Sequence, residues 1–148
     1  MNLERLEKQL IADEGVKYVI YLDHLGYSTV GIGHRILRED REYWEPLGTS
    51  VSEERVTELF RQDVDIAVRD CEALYGAGYS SWPPEVHEIL VNMMFNMGRT
   101  RMRKFKKMNA ALLDQNWKEA AKEGRDSKWY RQVPNRAERL MSRLENVS

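Results

Sequence analysis

The feature of this sequence that most limits the possible folds is a run of apolar residues at helical spacing in the middle of the chain. Its members are Val56, Leu59, Phe60, Val64, Ala67, Val68, Cys71 and Leu74. Ser52 precedes the run and is followed by Glu53 and Glu54. This order is typical of a helix start, because a hydroxyl caps free amides and acids oppose the helix dipole. The pattern predicts an amphipathic helix of about twenty residues, which is long enough to span a small domain.

The residues before this helix predict a mixed lobe. Leucines at helical spacing predict a helix over residues 2–13, which leaves Glu14 at its C-terminal edge. Residues 17–35 are rich in Val, Ile, Tyr and Thr and contain the turn sequence DHLG, so they predict a small antiparallel sheet. Residues 38–50 have no clear period. We expect them to form a loop with at most one helical turn.

The residues after the long helix predict only helices. The stretch YGAGYSSWPP at 75–84 ends the long helix, and Gly98, Gly124 and Pro134 separate the helices that follow. The predicted ranges of those helices are 86–97, 106–114, 116–124 and 135–145. No internal repeat and no low-complexity segment interrupts the pattern.

The predicted fold is α+β and mainly helical, with two lobes in a single domain over residues 1–148. A mixed α/β lobe with a small N-terminal antiparallel sheet covers about 14–51, and a connecting helix covers 52–75. A helical lobe takes up 76–148 together with 1–13. An architecture of this kind is expected to carry a cleft between the lobes.

The charges are distributed unevenly along the chain. The 23 basic and 24 acidic side chains give a formal net charge of −1. Residues 1–75 hold 9 basic and 16 acidic side chains, whereas residues 76–148 hold 14 and 8. Six of the nine residues in RTRMRKFKK, at 99–107, are basic. This segment indicates either a polyanionic partner, such as nucleic acid or cell wall, or a solvated helix face.

The cysteine and histidine content limits the possible chemistry. Cys71 is the only cysteine, which excludes an internal disulfide, and with three histidines it argues against structural zinc. We expect no metal and no cofactor. The N-terminal residues lack the apolar core of a signal peptide, and no segment resembles a membrane span. We therefore expect no signal peptide, synthesis in a cytoplasm and no stable membrane insertion.

Two carboxylates near the predicted sheet are candidates for catalysis. Glu14 and Asp23 bracket the first strand, so both can face one groove. Glycoside hydrolysis needs one carboxyl group to protonate the leaving oxygen and a second carboxylate to attack or to activate water. Glu14 is the better acid, because a packed helix end raises a carboxyl pKa, whereas a hairpin turn leaves Asp23 solvated and ionised. Taken alone, an acidic residue of this kind is more often a surface charge or an ion-pair partner than a catalytic group.

The residues around this pair resemble a known family. DEG at 13–15, Tyr21, Asp23, Gly26, Tyr27, Thr29 and GIGH at 31–34 closely resemble the active-site segment of the bacteriophage lysozymes of the T-even type, the endolysins of glycoside hydrolase family 24. Three further segments resemble that family in the same order. They are QDVDIAVR at 62–69, NMMFNMG at 92–98 and SKWYRQVPNRAER at 127–139. The resemblance covers nearly the whole chain apart from residues 38–50, and it implies the lysozyme-like two-lobe fold.

The resemblance also implies the catalytic roles. Glu14 matches the family's general acid, which protonates the oxygen of the β-1,4 bond between N-acetylmuramic acid and N-acetylglucosamine. Asp23 and Thr29 match the groups that position the attacking water in an inverting mechanism. Such a mechanism needs the two carboxyl groups about 6.5 to 9.5 Å apart, so that a water molecule fits between them.

Other matched positions are expected to support the site or to bind substrate. His34 and Asp63 match a structural ion pair, although His34 alone is also compatible with a catalytic base or a metal ligand. Arg136 matches an arginine that reaches the active-site glutamate. Gly33 and Phe95 match residues at the glycan groove. Departures from the family pattern lie in this groove, at Leu25, Arg35, Asn96, Met108 and Glu123.

The sequence therefore predicts an endolysin that hydrolyses bacterial peptidoglycan during host lysis and acts as a monomer. The resemblance implies a holin as the functional partner, which opens the membrane so that an enzyme made in the host cytoplasm reaches the cell wall in the periplasm. An alternative is a non-catalytic peptidoglycan-binding module with the same fold. A third hypothesis places a nucleic-acid site at 99–107. We do not favour it, and we expect no nucleic-acid partner.

Overall fold

In the computed structural model, which describes residues 1–148, the chain divides into two compact units. The first, Glu4–Asp65, is called the sheet unit, and the second, Met1–Leu3 with Ile66–Ser148, is called the helical unit. The boundary after Asp65 falls within one continuous helix, so the two ends of that helix belong to different units. The boundary after Leu3 falls at the first residue of the N-terminal helix.

The sheet unit begins with a helix and continues into three short strands. In chain order it contains α1 (Leu3–Glu14), β1 (Lys17–Leu22), β2 (Ser28–Gly31), β3 (His34–Arg35), a 3₁₀ helix (Arg41–Trp44) and the first part of α2 (Glu53–Tyr75). The sheet is antiparallel with the order β1-β2-β3. Tyr21 pairs with Thr29, and Thr29 pairs in turn with Arg35. The three residues therefore form one row across the sheet.

The core of the sheet unit follows the sequence pattern. Leu6 and Leu10 on α1 are completely buried, as their helical spacing predicts. The strands contribute Ile20 and Val30, and α2 contributes Val56, Leu59, Phe60 and Val64. Ser52 Oγ accepts a hydrogen bond from the Arg55 amide at 3.1 Å, which is the predicted cap of α2.

The helical unit contains the rest of α2 and every later element. In chain order these are a 3₁₀ helix (Ala77–Ser81), α3 (Pro84–Met97), α4 (Arg99–Met102), α5 (Lys106–Leu113), α6 (Trp117–Arg125), α7 (Lys128–Gln132) and α8 (Pro134–Glu145). Helix α3 is the most deeply buried of them, because nine of its fourteen residues are buried. Buried residues of α5, α6 and α8 complete the core of this unit.

The structure confirms the predicted class, which is mainly helical α+β with a small antiparallel sheet. It also confirms one helical turn within residues 38–50, at Arg41–Trp44. Two short helices, α4 and α7, lie outside the predicted ranges. No helix in the structure has both the length and the apolar composition that a membrane crossing requires.

The prediction for Gly124 was wrong. It was expected to separate two helices, but it lies inside α6 and is buried. A side chain at this position would overlap the sulfur of Met141 and lie 3.2 Å from the sulfur of Met108. Gly124 is therefore present because neighbouring side chains fill the space beside it, and it does not end the helix.

Candidate active site

Glu14 is the last residue of α1, and its carboxylate lies against the sheet. The helix ends there because Gly15 adopts a left-handed conformation, with φ of 75°, and its amide bonds to the Ile11 carbonyl at 2.8 Å. A Cβ atom added to Gly33 would lie only 2.8 Å from Glu14 Oε1. The missing side chain of Gly33 thus leaves the space that the Glu14 carboxylate occupies.

Asp23 lies in the turn that joins β1 to β2. Its Oδ1 atom accepts hydrogen bonds from the amides of Leu25 and Tyr27, each at 2.9 Å. These bonds, the one from Tyr27 foremost, lower the pKa of Asp23 below its usual range, and the positive charges of His24 and Arg35 add to the effect. The other carboxylate oxygen, Oδ2, has no partner within the protein. Asp23 is therefore held as a carboxylate with one oxygen available.

Thr29 lies on β2 and is only 4% exposed. Its hydroxyl donates a hydrogen bond to the Tyr27 carbonyl at 2.8 Å. Because the single hydroxyl proton is used in this bond, the oxygen can act toward another molecule only as an acceptor. A water molecule beside Thr29 would consequently point one of its own protons at this oxygen.

Tyr21 connects the two candidate carboxylates electrostatically. Burial raises the pKa of Tyr21, and the negative charges of Glu14 and, to a smaller extent, Asp23 raise it further. Both carboxylates therefore lie within electrostatic range of the Tyr21 hydroxyl. On the same ring, Lys17 Nζ lies 4.2 Å from the centroid. Sequence reasoning gave Tyr21 no role of its own, although Tyr21 is one of the residues that resemble the active-site segment of the family.

His34 is bonded by carboxylates on both sides of its ring. Nδ1 lies 2.6 Å from Asp63 Oδ2, and Nε2 lies 2.8 Å from Asp40 Oδ2. A neutral imidazole has one N–H, so two carboxylate partners favour the doubly protonated cation. Burial lowers the pKa of His34, but hydrogen bonds and attraction to Asp63 and Asp40 outweigh it and raise the pKa overall.

Asp40 is a partner of His34 that sequence reasoning missed. The same oxygen that meets His34 also accepts the Leu37 amide at 2.7 Å. Through its contacts with His34 and Leu37, Asp40 holds the loop after β3 next to the end of the sheet. No motif in the charged stretch REDRE at 38–42 singles out this residue, because its role depends on where the loop turns back.

Two other predicted site residues lie in the helical unit. Arg136 on α8 is buried and donates from Nε to Asn92 Oδ1 at 2.9 Å and from Nη2 to the Asn92 carbonyl at 3.4 Å. Phe95 lies half-buried on α3. The contact of Arg136 with the glutamate and the groove position of Phe95 stay predictions.

The sheet unit therefore carries a carboxylate at a helix end, a second carboxylate in a hairpin turn and a hydroxyl acceptor on β2, the strand that follows this turn. No group of three or more His, Cys, Asp or Glu side chains is arranged to hold a metal ion. Carboxyl groups of this kind can transfer protons to and from a glycosidic bond and a water molecule. With the mainly helical α+β fold, they fit a glycoside hydrolase of the lysozyme type.

Comparison with known proteins gives the family. The sequence model described as phage lysozyme matches residues 12–146, and the chain belongs to this family. It is 31% identical to Probable T4-type lysozyme 1 of Dictyostelium discoideum over 158 residues, which cover 95% of this chain and 93% of that protein.

Two phage proteins are also similar to this chain. The pre-baseplate central spike protein Gp5 of Enterobacteria phage T4 is 33% identical, over 91% of this chain and 26% of the spike protein. Peptidoglycan hydrolase gp36 of Pseudomonas phage phiKMV is 35% identical, over 93% of this chain and 15% of that protein. The chain thus spans about a quarter of the first protein and less of the second.

Proposed function

We propose that this protein is an N-acetylmuramidase that cleaves the β-1,4 bond between N-acetylmuramic acid and N-acetylglucosamine in bacterial peptidoglycan. The observation that carries the proposal is the state of Asp23. Its Oδ1 atom is occupied by two backbone amides, its Oδ2 atom is available, and its pKa is lowered, mainly by the Tyr27 amide. A carboxylate in this state is ionised at neutral pH and has one oxygen available to accept a hydrogen bond from the attacking water.

The proposed reaction uses Glu14 as the acid. Its carboxyl proton passes to the glycosidic oxygen as the bond from that oxygen to the anomeric carbon breaks. The oxygen of a water molecule attacks the same carbon from the opposite face. One water proton goes to Asp23 Oδ2, while the other points at Thr29 Oγ, which can only accept. The new sugar end carries the inverted configuration, and solvent returns the proton from Asp23 to Glu14.

The wider biological role rests on family membership. We propose that hydrolysis of the wall serves lysis of a host cell, with a holin supplying the opening through which the enzyme leaves the cytoplasm. The enzyme is proposed to act as a monomer on peptidoglycan in the periplasm. If cells that express this chain lyse only after a holin or chloroform is added, the result would support this role. Equal lysis without either would contradict it.

The decisive experiment compares the wild-type protein with Glu14→Gln on purified peptidoglycan. We expect the release of reducing ends to fall about a thousandfold, because the proton for the leaving oxygen is lost. Glu4→Gln is the matched control, since Glu4 is an exposed acid on the same helix whose ion pair with Lys8 is 3.6 Å long. Equal hydrolysis by the wild-type protein and Glu14→Gln would overturn the assignment.

The stereochemistry is tested separately by proton NMR of the first products. Inversion at a β-linked sugar gives the α-anomer before mutarotation, whereas a retaining enzyme gives the β-anomer. Binding to insoluble peptidoglycan without any new reducing ends would instead support the non-catalytic binding module.

A further inference from the structure

Arg35 is an exposed cation on the same face of the sheet as Thr29, one of the proposed catalytic groups. It pairs with Thr29 across the β2-β3 ladder, and Thr29 pairs with Tyr21 across the β1-β2 ladder. Side chains of directly paired residues project from the same face of a sheet. Arg35 therefore shares a face with Thr29, whose hydroxyl is proposed to orient water. It also shares this face with Tyr21, whose pKa is raised in part by the charges of Glu14 and Asp23.

An aromatic ring holds the guanidinium in place. The Arg35 Cζ atom lies 3.6 Å from the centroid of the Tyr27 ring, which is its diagonal neighbour across the strands. A guanidinium stacked on an aromatic face keeps its N–H groups around its edge, where they are available to a planar acceptor. Tyr27 is 47% exposed, so this stacked pair lies at the surface.

The hydrogen-bond donors of Arg35 are unused within the protein. Apart from the ring, its only interaction is a long-range attraction to Asp23, and no ion pair joins the two side chains. Arg55 in the same unit shows the contrast, because it donates to both carboxylate oxygens of Glu42, at 2.8 and 2.9 Å. Arg55 has a structural partner, whereas Arg35 is oriented without one.

We propose that Arg35 is a substrate-binding residue that takes a carboxylate of the peptide chains attached to the glycan. This inference rests on the proposed function. Guanidinium and carboxylate match each other in two parallel hydrogen bonds, and this match gives both affinity and orientation. In strands that carry peptides the lactyl carboxyl group of N-acetylmuramic acid is amide-linked to the first peptide residue, so the free carboxylates of these strands belong to the peptides. Arg35 would thus bind strands whose peptides have free carboxyl groups more tightly than strands whose peptide carboxyl groups are amidated.

A second role, support of Asp23, has weaker backing. Among the groups that lower the pKa of Asp23, Arg35 contributes less than the Tyr27 and Leu25 amides and less than His24. The two roles predict different kinetics. A group that binds substrate changes KM, whereas a group that maintains the charge of Asp23 changes the acid limb of the pH profile of kcat.

The test uses soluble, uncrosslinked glycan strands that carry peptides, either with free carboxyl groups or with these groups amidated. For Arg35→Gln on the free-carboxyl strands we expect KM to rise about tenfold, the effect of losing a charged hydrogen bond, with kcat within twofold. On amidated strands the wild-type protein and the variant should have the same, higher KM. On the free-carboxyl strands the KM of Arg35→Lys should lie between those of the wild-type protein and Arg35→Gln, because an ammonium group lacks the planar fork.

Arg38→Gln is the matched control, since it removes an equal exposed charge three residues away that also lacks an ion pair. Its KM should equal that of the wild-type protein. Three outcomes would overturn the inference alone while the wild-type protein cleaves normally: an unchanged KM in Arg35→Gln, a KM rise that amidation does not abolish, or a shifted acid limb of kcat with unchanged KM. Failure of the wild-type protein to cleave either strand would overturn the proposed function, and this inference with it.

Discussion

The two units of this molecule use charge in different ways. The sheet unit has 14 acidic and 8 basic residues, a net charge of −6, and the helical unit has 10 and 15, a net charge of +5. In the sheet unit, buried charges have defined partners, such as His34 with its two aspartates and Glu42 with Arg55. Charge there sets the position and the protonation of individual groups.

The basic segment 99–107 of the helical unit is different. Arg103, Lys104, Lys106 and Lys107 are exposed and have no ion pair. Exposed charges of one sign create a field that attracts a polyanion and weakens with added salt. The net charge of −1 is therefore the sum over a sheet unit with paired, localised charges and a helical unit with unpaired, exposed charges.

The largest effect is expected in the sheet unit, at Asp23. Asp23→Asn keeps an oxygen for the two amides but removes the carboxylate that accepts the proton, so kcat should fall about a thousandfold. In the wild-type protein the acid limb of the rate profile should lie below about pH 3.9, the ordinary pKa of Asp, because the pKa of Asp23 is lowered. Initial rates of reducing-end release between pH 3 and 7 test both statements, and near-normal activity of Asp23→Asn would disprove the role.

The second effect concerns the buried cation of the sheet unit. His34→Gln should lower the free energy of unfolding by about 3 kcal/mol at pH 6, because two carboxylates lose their common partner. The raised pKa of His34 means that the folded state binds the proton more tightly. This stabilisation is therefore complete below about pH 6.5 and is lost as the pH rises through the folded-state pKa.

Urea unfolding at pH 6 and pH 9.5 checks the sign of this prediction. The difference between wild-type protein and His34→Gln should be larger at pH 6. His24→Gln, which changes an exposed histidine in the same unit, should have little effect at either pH. A His34→Gln difference that does not depend on pH would mean that the cation contributes nothing through its charge.

A third, smaller effect tests packing in the helical unit without changing charge. Gly124→Ala should lower the free energy of unfolding by about 2 kcal/mol, because the added methyl group meets buried Met141 and Met108. Gly78→Ala is the control, since a Cβ atom there meets nothing within 4 Å. Thermal unfolding of both variants gives the comparison, and a gain of stability in Gly124→Ala would show that the methionines move aside.

The smallest effect is expected from the diffuse charges. Lys106→Glu with Lys107→Glu should raise the apparent KM for insoluble peptidoglycan about threefold at low ionic strength and hardly at all near 0.5 M salt. The control variant is Lys118→Glu with Lys122→Glu, which reverses two exposed lysines on α6 and changes the net charge by the same amount. An equal change of KM in both variants would assign the effect to total charge. An unchanged KM in Lys106→Glu with Lys107→Glu would show that the basic segment does not contribute to attraction to the wall.

Local patterns predicted those parts of the structure that neighbouring residues determine. The Ser52 cap, the spacing of apolar residues in α2 and the DHLG turn each depend on contacts a few residues apart, and each occurs in the structure. The lowered pKa of Asp23 agrees with its predicted ionised state, for the same reason. Helices α4 and α7 were missed because four or five residues are too few to show a period.

Contacts between distant residues were harder to predict. Asp40 meets His34 only because the loop turns back, and Arg136 meets Asn92 across 44 residues of chain. Gly124 was predicted to end a helix because glycine is common at helix ends. The structure instead explains this glycine by the side chains of Met141 and Met108, which leave no room for a Cβ atom. Family resemblance supplied the pairing of His34 with Asp63, which no local pattern contains.

The fit of Glu14 against Gly33 restricts how the site can evolve. Any larger residue at position 33 would need both a left-handed backbone, with φ of 64°, and the 2.8 Å space next to Glu14 Oε1. A shorter acid at position 14 would vacate that space but withdraw the carboxyl group from its place. Neither substitution is acceptable as a first step, so lineages that keep the activity should inherit these two positions together.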